Sequence, residues 1–333
     1  MLATRQLSPP AGDNGIALAV KENQYECSSS CGAGFGLASR GWSAGLVSGG
    51  ACLKLGISLP FYRPDRTAPT SQDIQRRAHA VEQAGFDGIF IGESIGRATV
   101  ARPDVLHWLV AAAAATERVE LGTAILEMPL RYPVEFAQRL MTTYALTGGR
   151  FVAGVGAGST RADFDAVGVP YDERFRLFNE GLPVVKRLLN GETVGTANLH
   201  PWPNVRGRPP LLIGSWESGA WVKRAAREYD GWMGSGLTSF NAMRQGITRF
   251  RDAGGSRAMV MTVGVNLKAP REPQPDDQRP YRLYCPPDEA ADRLARIASL
   301  GYDWVCLTSI DHTEADITDE DLAAIRSLVP VHS

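Results

Sequence analysis

The sequence predicts an α/β chain closed into a (β/α)8 barrel of TIM type, with two insertions and a low-complexity leader. Three observations carry that prediction. The first is a phrase used three times, in which a helix ends on an aromatic-Asp pair and an apolar strand follows at once. It reads Ala84-Gly85-Phe86-Asp87-Gly88-Ile89, Glu228-Tyr229-Asp230-Gly231-Trp232 and Leu300-Gly301-Tyr302-Asp303-Trp304-Val305. Two copies carry glycine where a helix end wants positive φ, and each leads into residues suited to a strand buried on both faces. The second is alternation, since strand-like and helix-like segments repeat eight times after residue 54. The third is length: 333 residues, 44 % of them hydrophobic, can bury one large core, and single barrels of this kind run to about 250 residues.

Residues 1–52 stand apart from the domain expected over 53–333. They are rich in Gly, Ser and Ala, lack a period of 2 or 3.6, and carry Arg40 in their most apolar part, which argues against a signal peptide. They read as a disordered leader or as an extension ahead of the true start. Cys27 and Cys31 lack the second pair or nearby His that a metal site needs.

Leu55–Leu59 is the first strand. Thr70 and Asp73 open the first helix with a capping box, and Ile74, Ala78 and Val81 form its inner face as it runs to Ala84. Gly88–Gly92 is the second strand. Pro103 stands at a helix N-terminus, the Ala-rich run Val110–Ala115 is the second helix, and Val119–Ile125 is the third strand. Pro133 opens the third helix and Phe151–Val155 is the fourth strand. The fourth helix runs from Asp172 to Asn190, with a kink expected at Pro183. Asn198–Pro210 is too long for an ordinary αβ turn and is expected to cover one end of the barrel. Leu211–Gly214 and Gly231–Met233 are the fifth and sixth strands, with a helix to Glu228 between them. Phe240, Met243, Ile247 and Phe250 show helical spacing up to Gly254. Met259–Val265 is the seventh strand. Lys268–Pro287, with six prolines, is expected to be a mobile lid or a partner-binding arm. A seventh helix, the strand Asp303–Leu307 and a helix from Asp319 complete the count.

A net charge of −1 favours neither nucleic acid nor an anionic membrane surface. No apolar run approaches the roughly 18 residues of a membrane span. Cys27, Cys31, Cys52, Cys285 and Cys306 form no paired framework, so a reducing cytoplasm is expected. His79, His107, His200, His312 and His332 are scattered without ligand spacing, and no metal is expected. His200, in the Trp-containing insertion, is the one placed to swing over the barrel mouth.

A barrel of this type carries its chemistry just after its strands. Gly154-Val155-Gly156-Ala157-Gly158 looks like a dinucleotide fingerprint, yet the sixth position is Ser159 and no short helix is expected to follow directly. Gly156, Gly158 and Ser159 therefore read either as a close approach to a ligand or as a tight turn. Glu93 and Ser94 follow the second strand; Glu93 is a candidate to accept a proton or bind a cofactor hydroxyl, or else pairs with Arg97 or Arg102. Glu127, Arg131 and Tyr132 follow the third strand, and Ser159 and Arg161 the fourth, so all five are candidates to line the substrate side.

Six stretches in order resemble the luciferase-like flavin-dependent oxidoreductases over about residues 54–329. They are Glu82 to Asp87, Ala114 to Thr123, Gly148-Gly149-Arg150-Phe151, Arg174 with Glu180, Pro210 to Trp216, and Asp230-Gly231-Trp232. The resemblance implies an isoalloxazine or deazaflavin ring packed on a bulge with a non-prolyl cis peptide, at Ala124-Ile125. It implies a cofactor phosphate near Gly214-Ser215-Trp216-Glu217-Ser218-Gly219 and Gly234-Ser235-Gly236, where small residues, hydroxyls and helix-start amides favour an anion. The other reading of those turns is a Ser N-cap and a Gly turn without ligand, and Glu217 opposes a phosphate unless its side chain points away. Ser94 joins these as a cofactor contact. Relatives often carry His after the second strand, where this chain has Glu93-Ser94, which weakens a His base. Glu93, Arg131 and Arg161 are the catalytic candidates, the arginines to bind an anionic substrate or stabilise a reacting flavin. The expected reaction uses reduced FMN from a separate reductase, with O2, on a small organic substrate. A dehydrogenase or reductase using the deazaflavin coenzyme F420, a flavin-binding barrel without turnover, and a sugar-phosphate enzyme are the alternatives. The resemblance also implies a homodimer formed through first-half helices.

Overall fold

A computed structural model describes residues 53–59, 63, 65, 67–96, 101–309 and 317–329. The expected leader, with Cys27, Cys31 and Cys52, lies outside the described residues, as do Arg97, His312 and His332. In chain order the first half contains β1 (Lys54–Ser58), α1 (Ser71–Gln83), β2 (Gly88–Ile91), α2 (Val105–Ala113), β3 (Glu120–Thr123), β4 (Leu126–Glu127), α3 (Pro133–Leu146), β5 (Phe151–Gly156), α4 (Arg161–Val167) and α5 (Arg174–Leu189). The second contains β6 (Leu211–Gly214), α6 (Trp221–Glu228), β7 (Gly231–Ser235), α7 (Phe240–Asp252), β8 (Ala258–Asn266), β9 (Leu283–Tyr284), α8 (Pro287–Ser299), β10 (Trp304–Ser309) and α9 (Asp319–Arg326). The strands β1, β2, β3, β5, β6, β7, β8 and β10 pair in parallel in that order, and β10 pairs with both β8 and β1. That pairing closes the barrel.

The repeated aromatic-Asp phrase has a mechanical reason. Asp87, Asp230 and Asp303 each sit at the foot of a strand and accept an amide from the foot of a neighbouring one: Leu55 N–H at 2.8 Å, Leu211 N–H at 2.7 Å and Ala258 N–H at 2.7 Å. Each Asp amide returns a bond to the carbonyl of the same residue. Three strand pairs are thus registered at the floor, where the terminal amides otherwise lack partners. Gly85 and Gly301 adopt φ of 88° and 95° ahead of two of these joints, a conformation that costs glycine little.

Two other stretches of the family resemblance also build the floor. Glu82 is buried, and its carboxylate accepts the amides of Glu117, Arg118 and Val119. Those three bonds outweigh the cost of burial and hold its pKa below the ordinary value. Arg150 donates to the carbonyls of Ala113, Thr116 and Val119, which caps the end of α2 and ties it to β3 and β5. An ion pair between Glu120 and Arg257, with Trp304 beneath both Lys54 and Arg257, seals the bottom of the barrel. The interior above is filled by Phe90, Val152, Leu212, Met233, Met259, Met261, Trp304 and Cys306.

Pro183 lies inside α5, which continues through it. A helix not expected from the sequence, α4, begins at Arg161 directly after the glycine-rich turn and ends on Gly168 at φ 78°. Asn198–Pro210 lies at the barrel floor, where Tyr144 Oη donates to the Arg206 carbonyl and Arg208 pairs with Asp230 at 2.6 Å. His200 packs near Gly191 at the end of α5, so the expectation that it reaches the mouth is wrong. Lys268–Pro287, expected to be a mobile lid or a partner-binding arm, is packed onto the barrel. Its strand β9 pairs with β8, Tyr281 and Cys285 are fully buried, and Arg293 binds the Arg282 carbonyl at 3.0 Å and the Gln274 side chain at 3.2 Å. Among the described residues no helix is long and apolar enough to cross a membrane.

Removing the Glu82 carboxylate leaves three amides without an acceptor. Glu82→Ala is expected to lower the unfolding free energy by about 3 kcal/mol in urea melts, whereas Glu117→Ala, at an exposed neighbour, changes it by less than about 0.5 kcal/mol.

Candidate active site

At the C-terminal ends of the strands lies a cavity of about 650 Å3, inside the roughly 300–1,000 Å3 typical of small-molecule and cofactor sites. Ala124 and Ile125, joined by a cis peptide, form part of its wall. They fall between β3 and β4, where the third barrel strand breaks and bulges inward. The bulge explains the glycines around it. A Cβ on Gly214 would stand 2.5 Å from Ile125 Cγ2, one on Gly156 2.8 Å from Ile125 Cδ1, and one on Gly92 2.9 Å from the Ala124 carbonyl. Gly158 has φ 82°, and a Cβ there would meet Glu127 Oε1 at 2.9 Å. Gly156 and Gly158 therefore make room for the protein's own side chains, and with Ser159 they also line the cavity, as the ligand-approach reading of that motif requires. Met233, Met261 and Phe178 continue the apolar wall, and Phe175, Trp216 and Leu237 stand half-exposed at its rim.

Of the three catalytic candidates, Glu93 and Arg131 meet and Arg161 stands apart. Glu93 lines the cavity, but its carboxylate is held by both terminal nitrogens of Arg131 and by the Glu127 amide at 2.9 Å. Both side chains are more than nine-tenths buried. Glu93 is thus paired with an arginine, as one expectation had it, and Arg131 is the partner seen among the described residues, which do not include Arg97. Arg131 and Ser94 face a neighbouring cavity of about 520 Å3, which removes both from the main site. Arg161 is also misplaced by the sequence reading. As the first residue of α4 it points outward, stacked over Tyr171 at 4.5 Å with Asp172 3.4 Å away.

Glu127, one of the five residues expected to line the substrate side, does line the cavity, and a second buried acid, Asp163, acts on it from α4. Glu127, the last residue of β4, is 5 % exposed, and its Oε2 has no hydrogen-bond partner among the described residues. Burial, then the charges of Asp163 and Glu93, push its pKa up to about 7, against the opposing effects of the Ser159 amide and Arg131. Asp163, on α4, is fully buried; its Oδ1 accepts the amides of Ile95 and Gly96, while its Oδ2 is unpartnered.

The corners after β6 and β7 are partly filled by their own side chains. Glu217 is buried and turns its carboxylate onto the Ser235 amide at 2.9 Å, with further help from its own amide and Thr238. Burial raises its pKa nonetheless. Ser215 Oγ accepts the Trp232 indole N–H at 3.1 Å, and Ser235 Oγ accepts the Leu237 amide at 3.1 Å. Gly214, Ser215, Trp216, Ser218, Gly234 and Ser235 all line the cavity. Ser215 and Ser235 keep their hydroxyl protons to donate, and Ser218, the turn ahead of α6 and Arg174 add further groups for an anion. Arg174 stacks on Tyr171 at 3.8 Å and on Phe175 at 4.3 Å, and its Nε is buried without a partner. The apolar wall, this cation and the hydroxyl-bearing turn fit a flat ring with an anionic tail. Thr262, also on the wall, has φ 63° at a β-branched residue, beside the register shift between β8 and β10.

Fold and cavity define the class: a TIM-type barrel with an organic-ligand site at its C-terminal face. The luciferase-like monooxygenase family profile matches residues 53–269, and the chain belongs to that family. It is similar to 4-hydroxyprotoasukamycin monooxygenase of Streptomyces nodosus subsp. asukaensis, 36 % identical over 117 residues that make up 34 % of this chain and 31 % of that protein. It is also similar to the F420-dependent glucose-6-phosphate dehydrogenase of Beutenbergia cavernae, 40 % identical over 134 residues, 37 % of this chain and 38 % of that one. The matched stretches thus span about a third of these curated relatives. In fold, the FMN complex of the oxygenating constituent of 3,6-diketocamphane monooxygenase from Pseudomonas putida superposes with a TM-score of 0.67 at 14 % identity, over 84 % of this chain and 98 % of that one.

Gly214→Ala is expected to cost about 2 kcal/mol in denaturant melts through overpacking against Ile125, and clearly less in an Ile125→Ala background. Glu127 gives a pH signature. Its carboxyl holds a proton more tightly folded than unfolded, so the stability it contributes is fully present below pH 4.5 and is lost as pH rises through about 7. The stability of wild type relative to Glu127→Gln should therefore fall across that window, by on the order of 2 kcal/mol after allowing for screening by water in the cavity.

Proposed function

We propose that this chain is a redox enzyme that seats an isoalloxazine or deazaflavin ring against Ala124 and Ile125 and oxidises a small, largely apolar organic molecule. The observation that carries the reading is the inward bulge, which presents an apolar face to a cavity that is polar at its other end. Arg174 and the Ser218–Gly219 turn would hold the phosphate end, and Met233 and Met261 would pack beside the ring. When bound, such a ring supplies two-electron redox chemistry that no side chain here provides. The protein's own part is to exclude water, orient the substrate and manage a proton.

Hydride exchange with coenzyme F420 is the form supported by the acid-base character of Glu127, because oxidation of a carbinol releases one proton with each hydride. The similarity to an F420-dependent dehydrogenase points the same way. Monooxygenation with reduced FMN and O2, expected from the sequence, is the second form. It is supported by the apolar walls and by the similarity to a monooxygenase, and it brings with it the separate flavin reductase. Pairing of two copies belongs to the same proposal; Val134 and Leu146 on α3 offer exposed apolar surface for it.

Fluorescence titration with FMN and with coenzyme F420, each in both redox states, tests the reading. One ring is expected to bind at least about tenfold more tightly, a difference of 1.4 kcal/mol, and Arg174→Gln should weaken it by about tenfold or more. Equal, millimolar binding of all four species by wild type and variant would refute it.

A further inference from the structure

We propose that Glu127 is the catalytic residue that takes the hydroxyl proton of an alcohol substrate in the cavity, an inference that rests on the deazaflavin form of the reading above. The case begins with a contrast between buried acids. Glu82 at the floor is met by three amides, Glu93 by Arg131 and an amide, and Glu217 by the Ser235 amide and Thr238. Each of those carboxylates is occupied in holding the fold together. Glu127 is equally buried, yet one of its oxygens has no partner among the described residues, a costly arrangement where structure alone is served.

Its position is as unusual as its solvation. Strand alternation turns the flanking Leu126 into the apolar layer between barrel and helices, and places Glu127 on the cavity wall two residues beyond Ile125. The charged groups acting on it are Asp163 from α4, Glu93 from the end of β2, and Arg131 from the segment before α3. Arg131 is already matched by Glu93, and Asp163, fully buried on α4, adds a second carboxylate oxygen without a partner among the described residues. The surroundings are therefore net negative and water-poor. A carboxylate there favours gaining a proton, and titration near neutrality makes it an effective general base. His79 and His107 lie on α1 and α2 and His200 at the floor, so none of the described imidazoles competes for the role.

The chemistry balances. The carbinol C–H bond breaks and its electron pair leaves as hydride to an oxidised deazaflavin, which is thereby reduced. The O–H bond breaks and its proton passes to a Glu127 oxygen, and the C–O bond becomes C=O. The protonated acid then releases the proton to solvent as product departs.

Three measurements on wild type, Glu127→Gln and Asp163→Asn test the role. Infrared titration of ligand-free wild type should show a carboxyl band lost near pH 7 and absent from Glu127→Gln. Fluorescence titration should show deazaflavin binding by Glu127→Gln within about twofold of wild type. With 2-propanol and cyclohexanol as probes, the wild-type rate should rise through a midpoint near pH 7. In Glu127→Gln it should fall by about 100-fold or more and lose that limb, and Asp163→Asn should move the limb to lower pH by removing a like charge. Normal binding with an unaltered rate and limb in Glu127→Gln sinks the role alone, as does ring binding without turnover of either alcohol. Failure of wild type to bind either ring sinks the cofactor reading, and the role with it.

Discussion

The site depends on one steric arrangement, the inward bulge of Ala124 and Ile125 against a ring of glycines. Ile125 occupies the volume that side chains at Gly156 and Gly214 would fill, and Ala124 does the same at Gly92. Adjacent strands have given up side chains so that the third can push one inward. The usual stack of barrel side chains is therefore cut short: Phe90, Trp304 and Met259 fill the lower interior, and the upper layer is open on one side. A cavity forms because its walls are backbone and small residues.

The electrostatic design divides along the barrel axis. At the floor, Asp87, Asp230, Asp303 and Glu82 are satisfied by strand and loop amides. Their charges hold register and do no chemistry. Near the mouth, Glu127 is acted on by the carboxylates of Asp163 and Glu93, with Arg131 as the matching cation, which leaves an excess of negative charge. Burial and these like charges together raise the proton affinity of Glu127.

Much of the fold was legible in the chain. The three aromatic-Asp joints, the Thr70-Asp73 capping box and the prolines at helix starts act locally, and their pattern survives in sequence order. The family-like stretches were equally visible, but Glu82, Arg150 and Asp230 turn out to be floor fastenings, so they report architecture and leave the reaction open. The partnership of Glu93 with Arg131 was not legible, because a gap of 38 residues separates groups that only barrel closure brings together. Asp163 was hidden for the same reason, on a helix whose seven residues are too few to show a period. Strand alternation would have placed Met233 and Met261 facing inward, as the position after the third strand placed Glu127. Glu217 was recognised as an obstacle to an anion, and the structure shows it filling part of the corner meant for one.

The central claim is that a tricyclic redox ring lies against the bulge. Methyl NMR of protein labelled at Ile and Met, followed as FMN and then coenzyme F420 is added, tests it most directly. The account predicts large ring-current shifts at the Ile125, Met233 and Met261 methyls, with none at Ile74 or Ile297 in the outer layer. Saturating ligand that leaves the Ile125 methyls unmoved would contradict it.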